Sequence, residues 1–118
     1  SPYILPIDDS AFNWLAMPLL VPKTWERKEL LNFIESNGIQ TRVFFAGNIT
    51  RHPAYREYFI SETAFPGSDT VMKDCFMLGA HHGRELEDID YVCDILKSFD
   101  PAMNRTCVSM LDEAGCDL

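Results

Sequence analysis

A helix stop, a short apolar strand and a polar loop follow one another within residues 37–55, and this order constrains the fold more than any other segment. Asn37-Gly38 favours the end of a helix, because glycine readily adopts the left-handed conformation found there. Residues 39–45 are typical of a strand. The strand and the loop after it carry four side chains suited to holding an anion, namely Arg42, Asn48, Arg51 and His52. The chain must therefore place a helix, a strand and a polar surface side by side.

The segments before residue 37 predict one strand and one helix. Residues 12–21 form an apolar, aromatic run that is typical of a strand. Pro18 lacks a backbone donor, so this strand should lie at a sheet edge or contain a bulge. We expect Thr24 to cap a helix that ends at Asn37-Gly38. The apolar side of this helix would contain Leu30, Leu31 and Ile34.

Beyond the polar loop, turn residues divide the chain into further elements. Pro53 predicts the first turn of a short helix over 54–59, and Ser68 or Asp69 is suited to cap another that ends near Asp74. Residues 76–80 predict a third strand, and residues 85–99 predict the longest helix. The apolar stripe of that helix contains Leu86, Ile89, Val92, Cys93, Leu96 and Phe99. We expect a short terminal helix within residues 103–115.

The order of these elements predicts an α+β fold. It reads strand, helix, strand, short helices, strand, helix, which is typical of a small antiparallel or mixed sheet of about three strands with helices on one face. The chain has 118 residues, of which 47% are hydrophobic. That length supports one small hydrophobic core, so we expect a single domain over residues 1–118.

The composition disfavours several classes of function. A net charge of −8 and a pI near 4.7 argue against a nucleic-acid or anionic-membrane surface, since both partners require a basic face. There is no secretory signal and no apolar run approaching the roughly 18 residues of a membrane span. The four cysteines form no Cys-x-x-Cys pair. We therefore predict reduced, mostly buried thiols and a cytoplasmic location.

The two arginines of the 37–55 segment have two interpretations. A guanidinium is a planar fork of donors that matches phosphate or carboxylate, so both arginines are suited to an anionic ligand. Arg42 lies between apolar strand residues and must reach an edge, an acidic partner or a ligand, because burying an unpaired charge is costly. Both arginines could instead form ion pairs with some of the 18 acidic residues. The sequence leaves both interpretations open.

Other candidate chemistry is weaker. His81-His82-Gly83 follows the third predicted strand, a position suited to ligand contacts, but histidines of an ordinary loop or helix start are the favoured interpretation. The spacing of these histidines to Cys75 or Cys93 matches no common zinc pattern, so we predict no metal site. No hydrolase elbow, Walker loop or dinucleotide fingerprint is present. The chain has four lysines, Lys23, Lys28, Lys73 and Lys97. All of them lie in predicted helices or just before one, without a phosphate cup nearby, so no complete pyridoxal site is predicted.

Two segments carry a family resemblance. Residues 13–19 read Asn-Trp-Leu-Ala-Met-Pro-Leu, and residues 38–55 contain Gly-Ile-Gln-Thr-Arg and Phe-Ala-Gly-Asn-Ile-Thr-Arg-His-Pro-Ala-Tyr. The first resembles the opening strand of the carboxyl-terminal domain of sugar aminotransferases in the DegT/DnrJ/EryC/StrS family. The second is most similar to the dehydratase branch of that family, the 3-dehydrases of lipopolysaccharide biosynthesis that act on CDP-4-keto-6-deoxyhexoses. The resemblance spans residues 12–99, and 42–55 is its most specific part.

The resemblance implies the small carboxyl-terminal domain of a larger, homodimeric fold-type I enzyme, with residues 100–118 as an additional tail. The large domain, outside this chain, would hold pyridoxal or pyridoxamine phosphate (PLP or PMP) and the catalytic group. We therefore expect neither a cofactor nor a catalytic residue in this chain. The small domain would close over the active site and bind the sugar nucleotide. By the same resemblance, Arg42, Asn48 and Arg51 would contact this substrate, with Thr41 and His52 behind them.

The expected function is thus a share in sugar-nucleotide 3-dehydration or transamination, in deoxysugar and lipopolysaccharide biosynthesis. The sequence departs from the family where His81-His82-Gly83-Arg84 replaces a more apolar turn with a proline, so the contacts of that loop are open. Two alternatives remain: a free-standing module that binds a nucleotide sugar or another small anion, and a structural or dimerisation domain.

Overall fold

Three strands form one antiparallel sheet in the computed structural model, which describes residues 1–7, 11, 13–58 and 64–103. They are β1 (Ala16–Leu20), β2 (Thr41–Val43) and β3 (Cys75–Gly79). The strand order is β1-β3-β2, so the strand that comes last in sequence lies in the middle. The predicted α+β class and three-stranded sheet are confirmed, although the first two strands are shorter than their apolar runs.

β1 is an edge strand, as Pro18 requires. Pro18 lies opposite Met77 of β3. On the outer side of β1, Leu20 and Ile4 exchange backbone hydrogen bonds of 3.0 and 3.2 Å. Because backbone donors alternate along a strand, the nitrogen of Pro18 points outward like that of Leu20. The missing N–H of Pro18 therefore removes no bond to β3.

The first helix, α1 (Arg27–Ser36), ends as predicted but begins later than predicted. Trp25 donates to the Pro22 carbonyl at 2.9 Å, so a turn occupies the residues around Thr24 and Glu26 takes the N-cap position. The prediction that Thr24 caps the helix is therefore wrong. At the other end, Gly38 has φ +78° and donates to the Glu35 carbonyl at 3.0 Å, which confirms the helix stop.

Two short 3-10 helices (Ile49–Arg51 and Pro53–Tyr58) connect β2 to the second α-helix, α2 (Pro66–Asp74). Pro53 begins a short helix as predicted, though one of 3-10 type. α2 has Pro66 in its first turn and receives no side-chain cap. The prediction that Ser68 or Asp69 caps this helix is wrong, because the helix already starts at the proline.

The longest helix, α3 (Leu86–Ser98), agrees with the predicted range to within one residue at each end. Glu85 and Asp88 form a capping box at its start. Its apolar stripe is covered unevenly: Phe99, just after the helix, is 5% exposed, whereas Leu86 is 78% and Ile89 47% exposed. Only the carboxyl-terminal half of the stripe therefore packs against the core.

The core lies between one face of the sheet and the helices α1 and α3. Phe76, Leu30 and Ile34 are fully buried, and Val92 and Leu96 of α3 pack against the same cluster. An aromatic group closes one end of this core, with ring centroids 5.2–5.6 Å apart, and it contains Tyr3, Trp25, Phe33 and Phe99. Helices on one face of the sheet are thus confirmed.

The predicted terminal helix falls almost wholly outside the described residues, since only its first residue, Met103, lies within them. In the part of the chain that the structure describes, no helix combines the length and the apolar character needed to cross a membrane.

Candidate functional site

Arg42 extends from β2 on the face of the sheet opposite the core. Its strand neighbour Thr41 is 4% exposed and points inward, so alternation along the strand turns Arg42 outward. The side chain is exposed, and its Nη1 donates to the Thr41 carbonyl at 3.2 Å. It forms no ion pair with any residue that the structure describes. Of the two arginines predicted to bind the substrate, Arg42 is thus the one that no described acidic residue neutralises.

Arg51 and Asn48 bind the same carboxylate, that of Asp69 on α2. Arg51 donates from Nε at 3.0 Å and from Nη2 at 2.8 Å, while the Asn48 amide donates at 2.7 Å. The hydrogen bond from Arg51, followed by that from Asn48, lowers the pKa of Asp69 to about 2. Asp69 in turn raises the pKa of Arg51. We call these three residues the Asp69 latch, because they join the loop after β2 to α2.

Asn48 also organises the loop itself. It is 3% exposed, and its Oδ1 accepts from the Thr50 amide at 3.1 Å and the Thr50 hydroxyl at 2.6 Å. Both ends of its amide group therefore bind within the chain. Arg51 remains 59% exposed although two of its nitrogens bind Asp69. The ion-pair interpretation thus holds for Arg51, which keeps solvent-facing surface as well.

Thr41 and His52 each contact another part of the chain. The Thr41 hydroxyl donates to Glu35 of α1 at 2.6 Å, which ties β2 to the helix before it. His52 Nε2 lies 2.7 Å from the Ala46 carbonyl and closes the loop. Both side chains thus have partners inside the chain. Whether the five predicted residues contact a substrate stays a prediction.

The loop after β2 contacts α2, which no pattern in the sequence predicts. Gly47 has φ +63°, and a Cβ at this position would lie 2.5 Å from the Cβ of Met72. Only glycine allows this approach of loop and helix. Phe45, just before, has φ +46°, which is strained for an aromatic residue, and its side chain is 69% exposed. The Gly-Asn pair indicated a turn, but no local pattern indicated its partner on α2.

The other candidate residues do not converge on a catalytic arrangement. His81 and His82 are exposed, and His81 Nδ1 lies 2.7 Å from the His82 carbonyl. Among the described residues, no three His, Cys, Asp or Glu side chains are grouped to hold a metal ion. Cys75 and Cys93 are free thiols, and burial raises the pKa of Cys75, while Cys107 and Cys116 lie outside the described residues.

Comparison with known proteins identifies relatives over most of the chain. A family model described as the DegT/DnrJ/EryC1/StrS aminotransferase family matches residues 3–97. A dTDP-4-dehydro-2,6-dideoxy-D-glucose 3-dehydratase from Saccharopolyspora spinosa is 36% identical over 100 residues, which are 83% of this chain and 21% of that enzyme. The lipopolysaccharide biosynthesis protein RfbH of Salmonella typhimurium is 29% identical over 90 residues, or 74% of this chain and 21% of that protein. The chain thus spans about a fifth of the length of these relatives.

Solved structures show the same fold. A GDP-4-keto-6-deoxy-D-mannose-3-dehydratase from E. coli, with bound hydrated PLP, superposes with a TM-score of 0.64 at 22% identity. The match covers 70% of this chain and 22% of that enzyme. A DegT DnrJ EryC1 StrS aminotransferase from Brucella abortus gives a TM-score of 0.71 at 16% identity, covering 83% and 26% of the two chains. The fold and the family match agree, and the chain belongs to the DegT/DnrJ/EryC1/StrS aminotransferase family.

Proposed function

We propose that this chain is the carboxyl-terminal small domain of a PLP- or PMP-dependent sugar-nucleotide 3-dehydratase, with an aminotransferase as the close variant. The observation that carries the proposal is the 36% identity to a dTDP-sugar 3-dehydratase over 83% of this chain. The chain corresponds to only a fifth of that relative, so it would contribute one part of the active site and not the whole of it. The parent would be a cytoplasmic homodimer acting in deoxysugar or lipopolysaccharide biosynthesis.

Arg42 is the proposed direct contact to the substrate. A nucleotide sugar carries a diphosphate. The Arg42 guanidinium is exposed and has no acidic partner among the described residues, and a guanidinium can donate two parallel hydrogen bonds to phosphate oxygens. Its position on β2 supports this role, because a strand holds a side chain more rigidly than a loop does. The dTDP- and GDP-linked sugars in the names of the relatives share the diphosphate and differ in the base.

The Asp69 latch would hold the loop after β2 in one shape when the small domain closes over the active site. Arg51 and Asn48 bind Asp69 within the chain. The part of the Arg51 guanidinium that stays exposed to solvent would donate to a sugar hydroxyl or a phosphate of the substrate. Thr41 and His52 support the same segment. Preorganised donors are effective because little conformational freedom is lost on binding.

The cofactor belongs, in this proposal, to the large domain outside this chain. The four lysines of the chain are all exposed, on or beside its helices, which supports placing the Schiff-base lysine and the cofactor elsewhere. The purified 118-residue chain is expected to show neither a pyridoxal absorption band nor turnover. Either observation would contradict the proposal.

The decisive test is the substitution Arg42→Ala in the full-length parent. Loss of a charged hydrogen-bond donor should lower kcat/KM about 10- to 100-fold, mainly through a higher KM, since the arginine binds rather than reacts. Arg56→Ala is the matched control, because Arg56 is also exposed but lies on the second 3-10 helix. Unchanged kinetics of Arg42→Ala would instead favour a structural or dimerisation domain.

A free-standing binding module is the second candidate, and the exposed charge of Arg42 within this chain is the observation that favours it. Calorimetric titration of the 118-residue chain with CDP-, UDP- and dTDP-linked sugars separates the two functions. Half of a site should bind these ligands at millimolar concentration or not at all. Micromolar binding by the isolated chain would support the module.

A further inference from the structure

Arg84, in the loop that follows β3, lies against the end of that strand. Its Nη2 is 3.3 Å from the position that a Cβ on Gly79 would occupy, and the ring of His81 is 3.9 Å from the same point. Because Gly79 has no side chain, the guanidinium can rest directly on the strand. The proposed function leaves residues 81–84 without a role.

Arg84 and Arg42 share one face of the sheet. Arg42 lies opposite Met77, and Gly79 is two residues further along β3, so both point away from the core face that carries Phe76 and Leu78. Diagonal neighbours of this kind on adjacent antiparallel strands are about 7–8 Å apart. The register therefore places Gly79, against which the Arg84 guanidinium lies, diagonally beside Arg42 on the same face of the sheet.

Neither arginine is neutralised by a residue that the structure describes. Arg84 is exposed and forms no ion pair with a described residue, and the same holds for Arg42. The carboxylates nearest to Arg84 in sequence, those of Glu85 and Asp88, bind each other's backbone amides in the capping box of α3. Two positive groups on one face repel each other, and a bound anion would relieve that repulsion.

We infer that Arg84 is a second anion-binding residue, which together with Arg42 holds the diphosphate of the nucleotide sugar. This inference rests on the proposed function and adds to it a contact from a different loop. One guanidinium comes from β2 and the other from beyond β3, so a diphosphate spanning them bridges two separate segments. Arg84 binds and orients the substrate and takes no part in the chemical step.

The test is calorimetric titration of the intact protein that carries this chain with dTDP, comparing wild type, Arg42→Ala, Arg84→Gln and Arg56→Ala. Arg84→Gln keeps most of the side chain and removes its charge, so folding should be preserved. We expect about tenfold weaker dTDP binding for both Arg42→Ala and Arg84→Gln, because each loses a charged hydrogen bond. Arg56→Ala should bind as wild type, and the difference should shrink in high salt.

The outcomes separate the role of Arg84 from the proposed function. Wild-type affinity in Arg84→Gln, with weakened binding in Arg42→Ala, would overturn the role of Arg84 and leave the proposed function intact. Absence of dTDP binding by the wild-type protein at millimolar ligand would overturn both. Equal weakening in all three variants would show an unspecific loss of positive charge and would also overturn the role of Arg84.

Discussion

The loops that follow β2 and β3 differ in how firmly the rest of the domain holds them. The loop after β2 is joined to α2 by the Asp69 latch and by the close approach of Gly47 to Met72. The loop after β3, residues 80–85, is exposed throughout, and a Cβ added at Gly83 would meet no atom within 4 Å. Because β2 and β3 are antiparallel, the two loops leave the sheet at opposite ends, and Arg42 lies on β2 between them. The domain thus has a tightly held polar loop at one end of the sheet and an open loop at the other.

The largest expected effect is that of Gly47→Ala. The new Cβ would collide with Met72 and the residue would keep a left-handed backbone, so we expect a loss of about 3 kcal/mol of unfolding free energy. Urea unfolding followed by circular dichroism measures this loss. A loss below about 1 kcal/mol would show that the contact between loop and helix is loose.

Asn48→Ala should have the next largest effect, a loss of about 2 kcal/mol of unfolding free energy. The substitution removes the hydrogen bonds to Asp69 and Thr50 from a side chain that is 3% exposed. The matched control is Asn13→Ala, because Asn13 is exposed. Urea unfolding of both variants provides the comparison, and equal stabilities would show that the latch contributes nothing.

Gly83→Ala should lower the unfolding free energy by less, about 1 kcal/mol. Gly83 has φ +86° but lies in open space, so only the left-handed backbone opposes a side chain. The same unfolding measurement applies. If Gly83→Ala proves as costly as Gly47→Ala, the loop after β3 is as tightly held as the loop after β2, and the contrast between them fails.

Acid should open the loop after β2 at low pH. The folded-state pKa of Asp69, about 2, lies below its ordinary value of 3.8, so the latch contributes stability above that ordinary value and loses it as the pH falls towards 2. The amide signals of Asn48 to Arg51 in NMR spectra should shift in that window. In Asp69→Asn the acid-dependent shift should be absent, and an unchanged titration there would assign the effect to another carboxylate.

Arg42→Ala should have the smallest effect on stability, within about 0.5 kcal/mol. Arg42 is exposed, and its guanidinium donates to the carbonyl of the residue before it. Thermal unfolding checks this, alongside the dTDP titrations of the same variant. A marked destabilisation would mean that Arg42 supports the sheet, and its effect on substrate binding could then no longer be attributed to direct contact.

The sequence predicted the ends of elements well where the signal was local. Gly38 and Pro53 each act within one turn of chain, and the apolar repeat of α3 recurs every three to four residues, and all three predictions were confirmed. The starts of α1 and α2 were wrong because several residues there are suited to capping. In both cases backbone geometry decided, through the turn from Pro22 to Trp25 and through Pro66 in the first turn of α2.

The order of the elements, the three-stranded α+β class and the position of the polar segment all follow from the sequence, because turn residues and hydrophobic periodicity act locally. Which of the polar side chains stay unpaired depends on how distant segments pack together. Asp69 is 18 residues from Arg51 and 21 from Asn48, so only the packing of the loop on α2 could bind those two residues and leave Arg42 exposed. The pairing of β2 with β3 likewise placed Gly79, against which Arg84 lies, diagonally beside Arg42, a relation that the separation of these residues along the chain does not reveal.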